Sequence, residues 1–398
     1  MLSASVLINL ISAAGLLTLL ASIRRSATSN AIQVRLVWLI GMTTGLFVAR
    51  SISWTTGLDV LVRVEIVFAA PLPLLLVIVT EAVLRRHAPF AIKVFVTVAA
   101  ILFALTGLIG HRGLEPWFSY ALACVQLTTL VFCVSWLLAR DRDARSTAEN
   151  RTATIFMVVL ALAGMLFFTD YTSISNAPAR LGALGFLMAA YVLIGSLAPS
   201  FSARKLAVEA SIVVVVTASI VALAINVLGW NDLGALVGLS SILFALFLTA
   251  IIIFRYFGMR LQSEDELINA LEMARTQSIT TFLDDALSTE FMRDAKLVSE
   301  PDLSDYDVEK IRACLAAISV FELSKSDDES EDATIEQLHD LLRRHNASHA
   351  VMVSADPLRV VLSPVPSFGD AGSIRSFMAM MGKIARLIDV NPTPGVPT

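Results

Sequence analysis

Nine apolar stretches, joined by short loops that carry most of the charge, fill residues 1–260. A helix of about 20 apolar residues is long enough to cross ~30 Å of hydrocarbon. In lipid each backbone polar group must be bonded within its own segment, and helices meet this demand. The sequence therefore predicts an α-helical integral membrane bundle of about nine transmembrane helices. The predicted spans are 3–22, 31–50, 61–84, 89–110, 116–139, 152–169, 179–198, 208–229 and 233–255.

The basic residues of this region fall on alternate sides of the predicted spans. Basic residues in short loops stay in the cytoplasm, so the side that carries 14 of the 18 is predicted to be cytoplasmic. This gives an outside N-terminus, an inside C-terminus and a multi-pass protein of the cell (inner) membrane. Arg24 and Arg25 follow the first apolar run and no basic residue precedes it, which favours a retained first helix over a cleaved signal. The four basic residues predicted outside are Arg50, Arg63, Arg112 and Arg180.

The sign of the charge changes near residue 260. Residues 1–260 carry 18 basic and 10 acidic side chains, whereas residues 261–398 carry 12 basic and 24 acidic ones. Such a break indicates a domain boundary, and an acidic tail excludes nucleic-acid binding, which needs a basic surface. The predicted domains are a bundle over 1–256, a linking helix over 257–300, a small cytoplasmic α+β domain over 301–390 and a flexible tail over 391–398.

Polar residues are scarce at the centres of the spans and gather near the predicted outer loops. If they converge, they form a small polar pocket, open to the outside, for a polar or anionic ligand. Two ion pairs are possible within this set, Arg63 with Glu65 and Asp170 with Arg180. The alternative is ordinary solvation of loop ends. The candidate ligand-binding residues are Arg50, Asp59, Arg63, Glu65, Asp170, Tyr171 and Arg180.

Two features of the second and third spans bear on helix shape and packing. Pro71 and Pro73 each lack a backbone N–H, so a kink is expected in the third span. The kink is either a hinge beside a ligand cavity or a static bend. Gly41 and Gly45 form a small-xxx-small pair that allows close contact between helices.

The last span is followed by a helical pattern with no glycine or proline between residues 259 and 300. Its apolar positions are mostly three, four or seven residues apart, which is typical of a coiled-coil-like seam. The sequence therefore predicts one linking helix that carries signals and forms a homodimer. The residues assigned to this seam are Leu261, Ile268, Leu271, Ile279 and Phe282.

Beyond Pro301 the pattern predicts a mixed domain of around 90 residues. Ser304 is a candidate cap for a helix over 305–316, and a strand is predicted over 317–323. A helix over 334–344, a hairpin over 350–354 and 358–362, and a helix over 372–388 complete the order. The histidines at 339, 345 and 349 are interpreted as surface residues, since their spacing matches no metal-ligand pattern. No catalytic residue, metal or cofactor is predicted.

The layout resembles the multi-pass N-terminal membrane region of bacterial receptor histidine kinases. The resemblance is carried by the Arg24-Arg25 and Arg85-Arg86 loops, the apolar run over 156–168 and the helical pattern over 259–287. It implies a membrane sensor followed by a linking helix and a GAF-like module. The kinase core itself, with its phosphoacceptor histidine helix and glycine-rich ATP boxes, has no counterpart in the sequence.

These observations favour a non-enzymatic membrane sensor or regulatory adaptor, which couples an outer or intramembrane signal to a cytoplasmic or membrane protein partner. A structural subunit of a larger membrane complex is the first alternative. A transporter or channel is the second, although such proteins usually carry ionisable groups near the middle of the membrane.

Overall fold

The computed structural model forms two compact units. The membrane unit holds residues 1–140 and 152–258, and the C-terminal unit holds residues 141–151 and 259–398. The split near residue 258 lies close to the predicted boundary at 256. The structure describes residues 3–26, 31–110, 117–142, 147–171, 180–197, 203–228, 232–273, 278–288, 292, 295–323, 333–345, 347–364 and 371–390.

Eight helical segments among the described residues are long and apolar enough to cross a membrane. The seventh predicted span is the exception, because its helix α8 has 16 described residues. The bounds are α1 (Ala4–Ser26), α2 (Ala31–Thr56), α3 (Asp59–Ala69), α4 (Leu72–Leu84), α5 (Phe90–Ile109), α6 (Trp117–Leu138), α7 (Thr147–Phe167), α8 (Gly182–Leu197), α9 (Ala203–Leu228) and α10 (Leu233–Met273).

The third predicted span is broken where the prolines predicted a kink. Helix α3 ends at Ala69 and α4 begins at Leu72, with Pro71 between them. Pro73 lies in the first turn of α4, where a missing N–H is tolerated. Together α3 and α4 form one apolar segment of 26 residues, Asp59–Leu84.

Only one of the two glycines in the second span lies at a close helix contact. A Cβ atom at position 45 would be 2.6 Å from the ring of Phe68 in α3, so a larger residue there would displace that ring. A Cβ atom at position 41 would meet nothing within 4 Å. The α2–α3 packing therefore needs a small residue at 45 and not at 41.

Within the predicted linking helix over 257–300, the described residues form the end of one helix, a second helix and a strand. Helix α10 ends at Met273, and a new helix, α11 (Ile279–Leu287), begins after Ser278. Ser278 has an extended backbone and its hydroxyl accepts a hydrogen bond from the N–H of Thr281, which is the geometry of an N-cap. The prediction of one continuous helix is therefore wrong, because a serine cap starts a second one.

The predicted seam is divided in the same way. Phe282 is fully buried in the core of the C-terminal unit, and Ile279 packs against that core. Burial within the chain explains their helical spacing without a second copy. The side chains of Leu261, Ile268 and Leu271 lie outside the described residues.

The C-terminal unit contains a four-stranded antiparallel sheet in the order β1-β4-β3-β2. The predicted hairpin is confirmed as β3 and β4, which pair from His349↔Ser363 to Ala355↔Leu358. The elements are β1 (Lys296–Ser299), α12 (Val308–Ala317), β2 (Phe321–Glu322), α13 (Ala333–Arg344), β3 (His349–Ala355), β4 (Leu358–Ser363) and α14 (Ala371–Val390).

Both faces of this sheet are covered. Side chains alternate between the two faces of a strand, so Val351 and Val353 join one core with residues of α11 and α14. Ala350 and Met352 join a second core with residues of α12 and α13. The unit is thus a sheet between two helical layers.

Three details of this unit differ from the prediction. Asp307 caps α12 by accepting from the N–H of Lys310, whereas Ser304 ends a short 3-10 helix. The strand predicted over 317–323 is only Phe321–Glu322, and β1 was not predicted. Consequently α11 and β1, which lie before residue 301, belong to the fold of this unit.

The interpretation of the three histidines as surface residues is wrong for two of them. His339 and His349 are 4% and 6% exposed, because α13 packs on the sheet and β3 is covered on both faces. The ring of His339 contacts that of Phe321, with ring centres 5.5 Å apart. Among the described residues, no group of three or more His, Cys, Asp or Glu side chains is placed to hold a metal ion.

Candidate functional site

Three of the predicted site residues form a buried ion-pair cluster. Arg50, near the end of α2, donates from Nε to Oε1 of Glu65 in α3 at 2.6 Å. Its Nη1 donates to Oδ2 of Asp170, which ends a short 3-10 helix after α7. The side chains of Arg50, Glu65 and Asp170 are 11%, 18% and 5% exposed. One guanidinium therefore joins three elements by charge-assisted hydrogen bonds.

Asp170 also fixes the start of α8. Its second oxygen, Oδ1, accepts from the backbone N–H of Gly182 at 2.8 Å. The hydroxyl of Thr169 accepts from the N–H of Leu181 at 2.7 Å. The first N–H groups of a helix have no partner within the helix, and a carboxylate there is favoured by the helix dipole. The cluster is thus continuous with the N-terminus of α8.

Gln126 in α6 links this cluster to the break between α3 and α4. Its Nε2 donates to the carbonyl of Ala69 at 3.4 Å, and its Oε1 accepts from the hydroxyl of Tyr171. In an unbroken helix the carbonyl of Ala69 would accept from residue 73, but Pro73 has no N–H. The glutamine amide therefore takes the place of that donor and holds Tyr171 at the same time.

The protonation of Tyr171 suits this role. Burial raises the pKa of the Tyr171 phenol, the negative charges of Asp170 and Glu65 act in the same direction, and the charge of Arg50 opposes them. The phenol is therefore protonated at neutral pH and is able to donate to Gln126.

Arg180 lies beside the cluster and contacts an aromatic ring. Its guanidinium carbon is 4.5 Å from the ring centre of Trp54, and that of Arg50 is 5.6 Å from the same ring. Cations attract the face of an indole ring, so Trp54 helps to hold two arginines near each other.

The structure places the remaining two predicted residues apart from this cluster. Arg63 is exposed and donates to the carbonyl of Leu108 near the end of α5, at 3.1 Å. Asp59 is exposed at the first turn of α3. The partner of Glu65 in the cluster is Arg50 and not Arg63, because the side chain of Arg63 leaves α3 toward α5.

A second cluster joins α8, α9 and α10. Arg255 donates from Nη2 to Oε2 of Glu209, and the hydroxyl of Tyr191 donates to the same oxygen at 3.0 Å. The guanidinium carbon of Arg255 is 5.0 Å from the ring centre of Tyr191. Helix α8 therefore begins at the Arg50 cluster and carries Tyr191 of the second cluster.

Two of these groups were missed by sequence reasoning. Gln126 is a single neutral residue in an apolar span, and the signal that would have found it is the carbonyl left free by Pro73. The Glu209–Arg255 pair was missed because both residues lie near span ends, where solvation explains a charge equally well.

Comparison with family models, with curated proteins and with solved structures finds no match for the chain.

Proposed function

We propose that the protein is a non-enzymatic membrane sensor or regulatory adaptor, whose signal acts on the Arg50 cluster. The observation that carries the proposal is that Arg50 is shared by Glu65 and Asp170, on three elements, in a largely buried setting. Removing one partner of a buried ion pair typically costs about 3–5 kcal/mol, so intermediate arrangements are unfavourable. Such a cluster favours two distinct states, which is what a sensor needs.

A route from this cluster to α10 supports the proposal. Asp170 holds the first residue of α8, and Tyr191 of α8 contacts Glu209 and Arg255. Arg255 lies in α10, and the same helix continues to Met273. If opening of the Arg50 cluster shifts α8, the contacts of Tyr191 with Glu209 and Arg255 would thus transmit that shift to α10.

The pairing of the charges favours this function over transport. Arg50 pairs with both Glu65 and Asp170, and Asp170 also caps a helix, so their hydrogen-bonding groups serve the packing of helices. A signal shifts such an equilibrium only through different affinities for the closed and open states. If the protein is instead a structural subunit, the same cluster would hold the helices in one fixed arrangement.

Orientation, assembly and kinship are part of the same proposal. The distribution of basic residues supports an outside N-terminus and a cytoplasmic C-terminal unit in the inner membrane. We also propose a homodimer, a protein partner for the C-terminal unit and kinship with the sensor regions of receptor histidine kinases. Pro71 and Pro73 are the proposed hinge, since they interrupt a span beside Gln126.

Hydrogen–deuterium exchange on the full chain in lipid nanodiscs tests the coupling. In Arg50→Gln, the amides of α8, α10 and the C-terminal unit should exchange faster than in the wild-type protein, because the closed state is lost. Arg63→Gln is the matched control. Its arginine is two residues from Glu65 but donates only to the carbonyl of Leu108 in the structure described, so exchange should stay unchanged.

The pattern of exchange separates the sensor from the scaffold. Faster exchange confined to the ends of α2, α3 and α7 would overturn the sensor proposal and favour a rigid brace. If Arg50→Gln does not fold, Arg50→Lys keeps the charge but loses the two-pronged geometry, and its smaller effect should follow the same pattern.

A further inference from the structure

The membrane unit contains an apolar cavity that the Arg50 cluster does not use. About 110 Å³ of open space lies among α1, α2, α4, α6, α7 and α8. Leu36, Leu76, Phe156, Ala163 and Leu193 are among the lining residues, and none of the lining residues is charged.

The polar groups at the wall of the cavity are already bonded. The hydroxyl of Thr43 donates to the carbonyl of Leu39 at 2.8 Å. Gln126 uses its amide for Ala69 and Tyr171. A polar ligand would therefore find few free hydrogen-bonding partners in this space. The ligand that suits such a cavity is a hydrocarbon chain.

A layer of aromatic rings separates the cavity from the Arg50 cluster. Phe186 contacts Phe47 and Phe167 edge to face, with ring centres 5.6 and 5.9 Å apart. Phe47 and Phe167 each lie three residues before a member of the cluster, Arg50 and Asp170, and so about one helical turn away. The end of the cavity toward the cluster is thus closed by Phe167 and Phe186, which also line it.

The mouth of the cavity faces away from the bundle at α6. Leu127 lines the cavity and is also 40% exposed, and it lies within an apolar segment long enough to span the membrane. In a bilayer an exposed side chain at this depth faces lipid. A chain that enters here comes from the bilayer, while its polar head stays outside the bundle.

We infer that this cavity binds the end of one acyl chain of a bilayer phospholipid, which enters beside Leu127 and ends below the aromatic layer. Protein interiors are close-packed, and a void that is left empty loses contacts along its wall. A straight hydrocarbon chain restores those contacts without an unpaired polar group. This inference does not rest on the proposed function, because a bound chain needs no signalling role.

Photocrosslinking tests the site on the purified full chain in phosphatidylcholine nanodiscs. The probe is a phosphatidylcholine that carries a diazirine at the end of one acyl chain, and labelled residues are mapped by mass spectrometry. In the wild-type protein, label is expected on lining residues such as Leu160 and Leu193. Label found only on outward-facing residues of the same helices would overturn the inference.

A matched pair of variants in α7 makes the test specific. Ala163 lines the cavity and is 7% exposed, whereas Ala161, two residues earlier, is exposed. Ala163→Phe fills the cavity and should lower the label on its lining about tenfold, while Ala161→Phe should leave it unchanged. Equal labelling of the two variants would overturn the inference.

Competition identifies the source of the chain. Raising the ratio of unlabelled phosphatidylcholine to probe in the nanodisc should lower the label on the lining in proportion. Displacement by a free fatty acid alone would overturn the assignment to a phospholipid. The photocrosslinking experiment measures binding, whereas the exchange experiment on Arg50 measures coupling between helices. Failure of either experiment therefore leaves the other one interpretable.

Discussion

Gln126 joins two parts of the Arg50 site with one side-chain amide. It supplies a donor to the Ala69 carbonyl, which Pro73 leaves without its usual partner, and it accepts from Tyr171. In a membrane, the carbonyls that proline frees are satisfied by side chains of neighbouring helices. Gln126 therefore satisfies one of the carbonyls that the prolines free at the α3–α4 break.

Replacing Gln126 by leucine should destabilise the membrane unit. Gln126→Leu leaves the Ala69 carbonyl and the Tyr171 hydroxyl without their partner, and a buried unsatisfied group costs about 1–3 kcal/mol. Tyr171→Phe removes only one of the two bonds and should cost less. Unfolding in mixed micelles with increasing dodecyl sulfate, followed by circular dichroism, measures the free energies.

Thr128→Val is the control for this prediction. Thr128 is exposed two residues further along α6, so its loss should change the free energy of unfolding by less than about 0.5 kcal/mol. If Gln126→Leu and Thr128→Val had the same free energy of unfolding, the two hydrogen bonds of Gln126 would not contribute to stability.

At the level of elements, sequence reasoning succeeded where one strong local signal decides the outcome. The apolar stretches predicted the long helices, Pro71 and Pro73 predicted the break, and the β3–β4 hairpin was found. It failed where a weak local signal competes with a periodic pattern. Ser278 starts α11 inside a helical pattern, and β2, at the edge of the sheet, is only two residues long.

The pairings in the site failed for a different reason. Arg50, Glu65 and Asp170 were identified as outer polar residues, but the sequence suggested partners that are close along the chain. Which charges meet depends on which helices are neighbours, and short loops do not determine this. Arg50 and Asp170 are 120 residues apart, and only the packed bundle brings them together.

The pairing of β2 with β3 predicts a pH dependence of the C-terminal unit. Glu322 pairs with His349, whose Nε2 is 3.3 Å from Oε1 of Glu322. Burial lowers the pKa of His349 and Arg375 adds to this, while Glu322 opposes it. The folded unit thus favours neutral His349, whereas the unfolded chain takes up a proton near pH ~6.5. Stability should be greatest above that pH and fall as the pH drops below it.

Hydrogen–deuterium exchange of the β3 and β4 amides between pH 7.5 and 5.5, corrected for intrinsic rates, measures this effect in the full chain. His349→Gln should reduce the loss of protection at low pH. His87→Gln removes a histidine whose side chain is 93% exposed, and should keep the wild-type dependence. A wild-type slope in His349→Gln would refute the assignment.

At the scale of the whole molecule, the change in charge near residue 260 predicted a boundary at residue 256, and the two compact units divide at residue 258. It did not reveal that residues 141–151 belong with the C-terminal unit, because their basic charges looked like an ordinary inner loop.

The number of membrane crossings depends on α8. Its 16 described residues rise about 24 Å, less than the ~30 Å of a typical hydrocarbon core.

Labelling of single cysteines decides the number of crossings. Cys124, Cys133 and Cys314 are first replaced by alanine, and a membrane-impermeant maleimide is applied to intact spheroplasts. Thr56→Cys, at the exposed end of α2, should be labelled. His87→Cys, between α4 and α5, and Glu309→Cys, in α12, should be labelled only after permeabilisation. If Glu309→Cys were labelled together with Thr56→Cys, α8 would not cross and the count would be eight.

The way Gln126 compensates for Pro73 also has an evolutionary consequence. In a relative with any other residue at position 73, the carbonyl of Ala69 regains a backbone donor, and the amide at position 126 is left with Tyr171 alone. Selection on these three positions is then linked, although they lie on separate segments of the chain. Homologous sequences, once aligned, should show positions 73, 126 and 171 changing together, with aliphatic residues at 126 where proline is absent from 73.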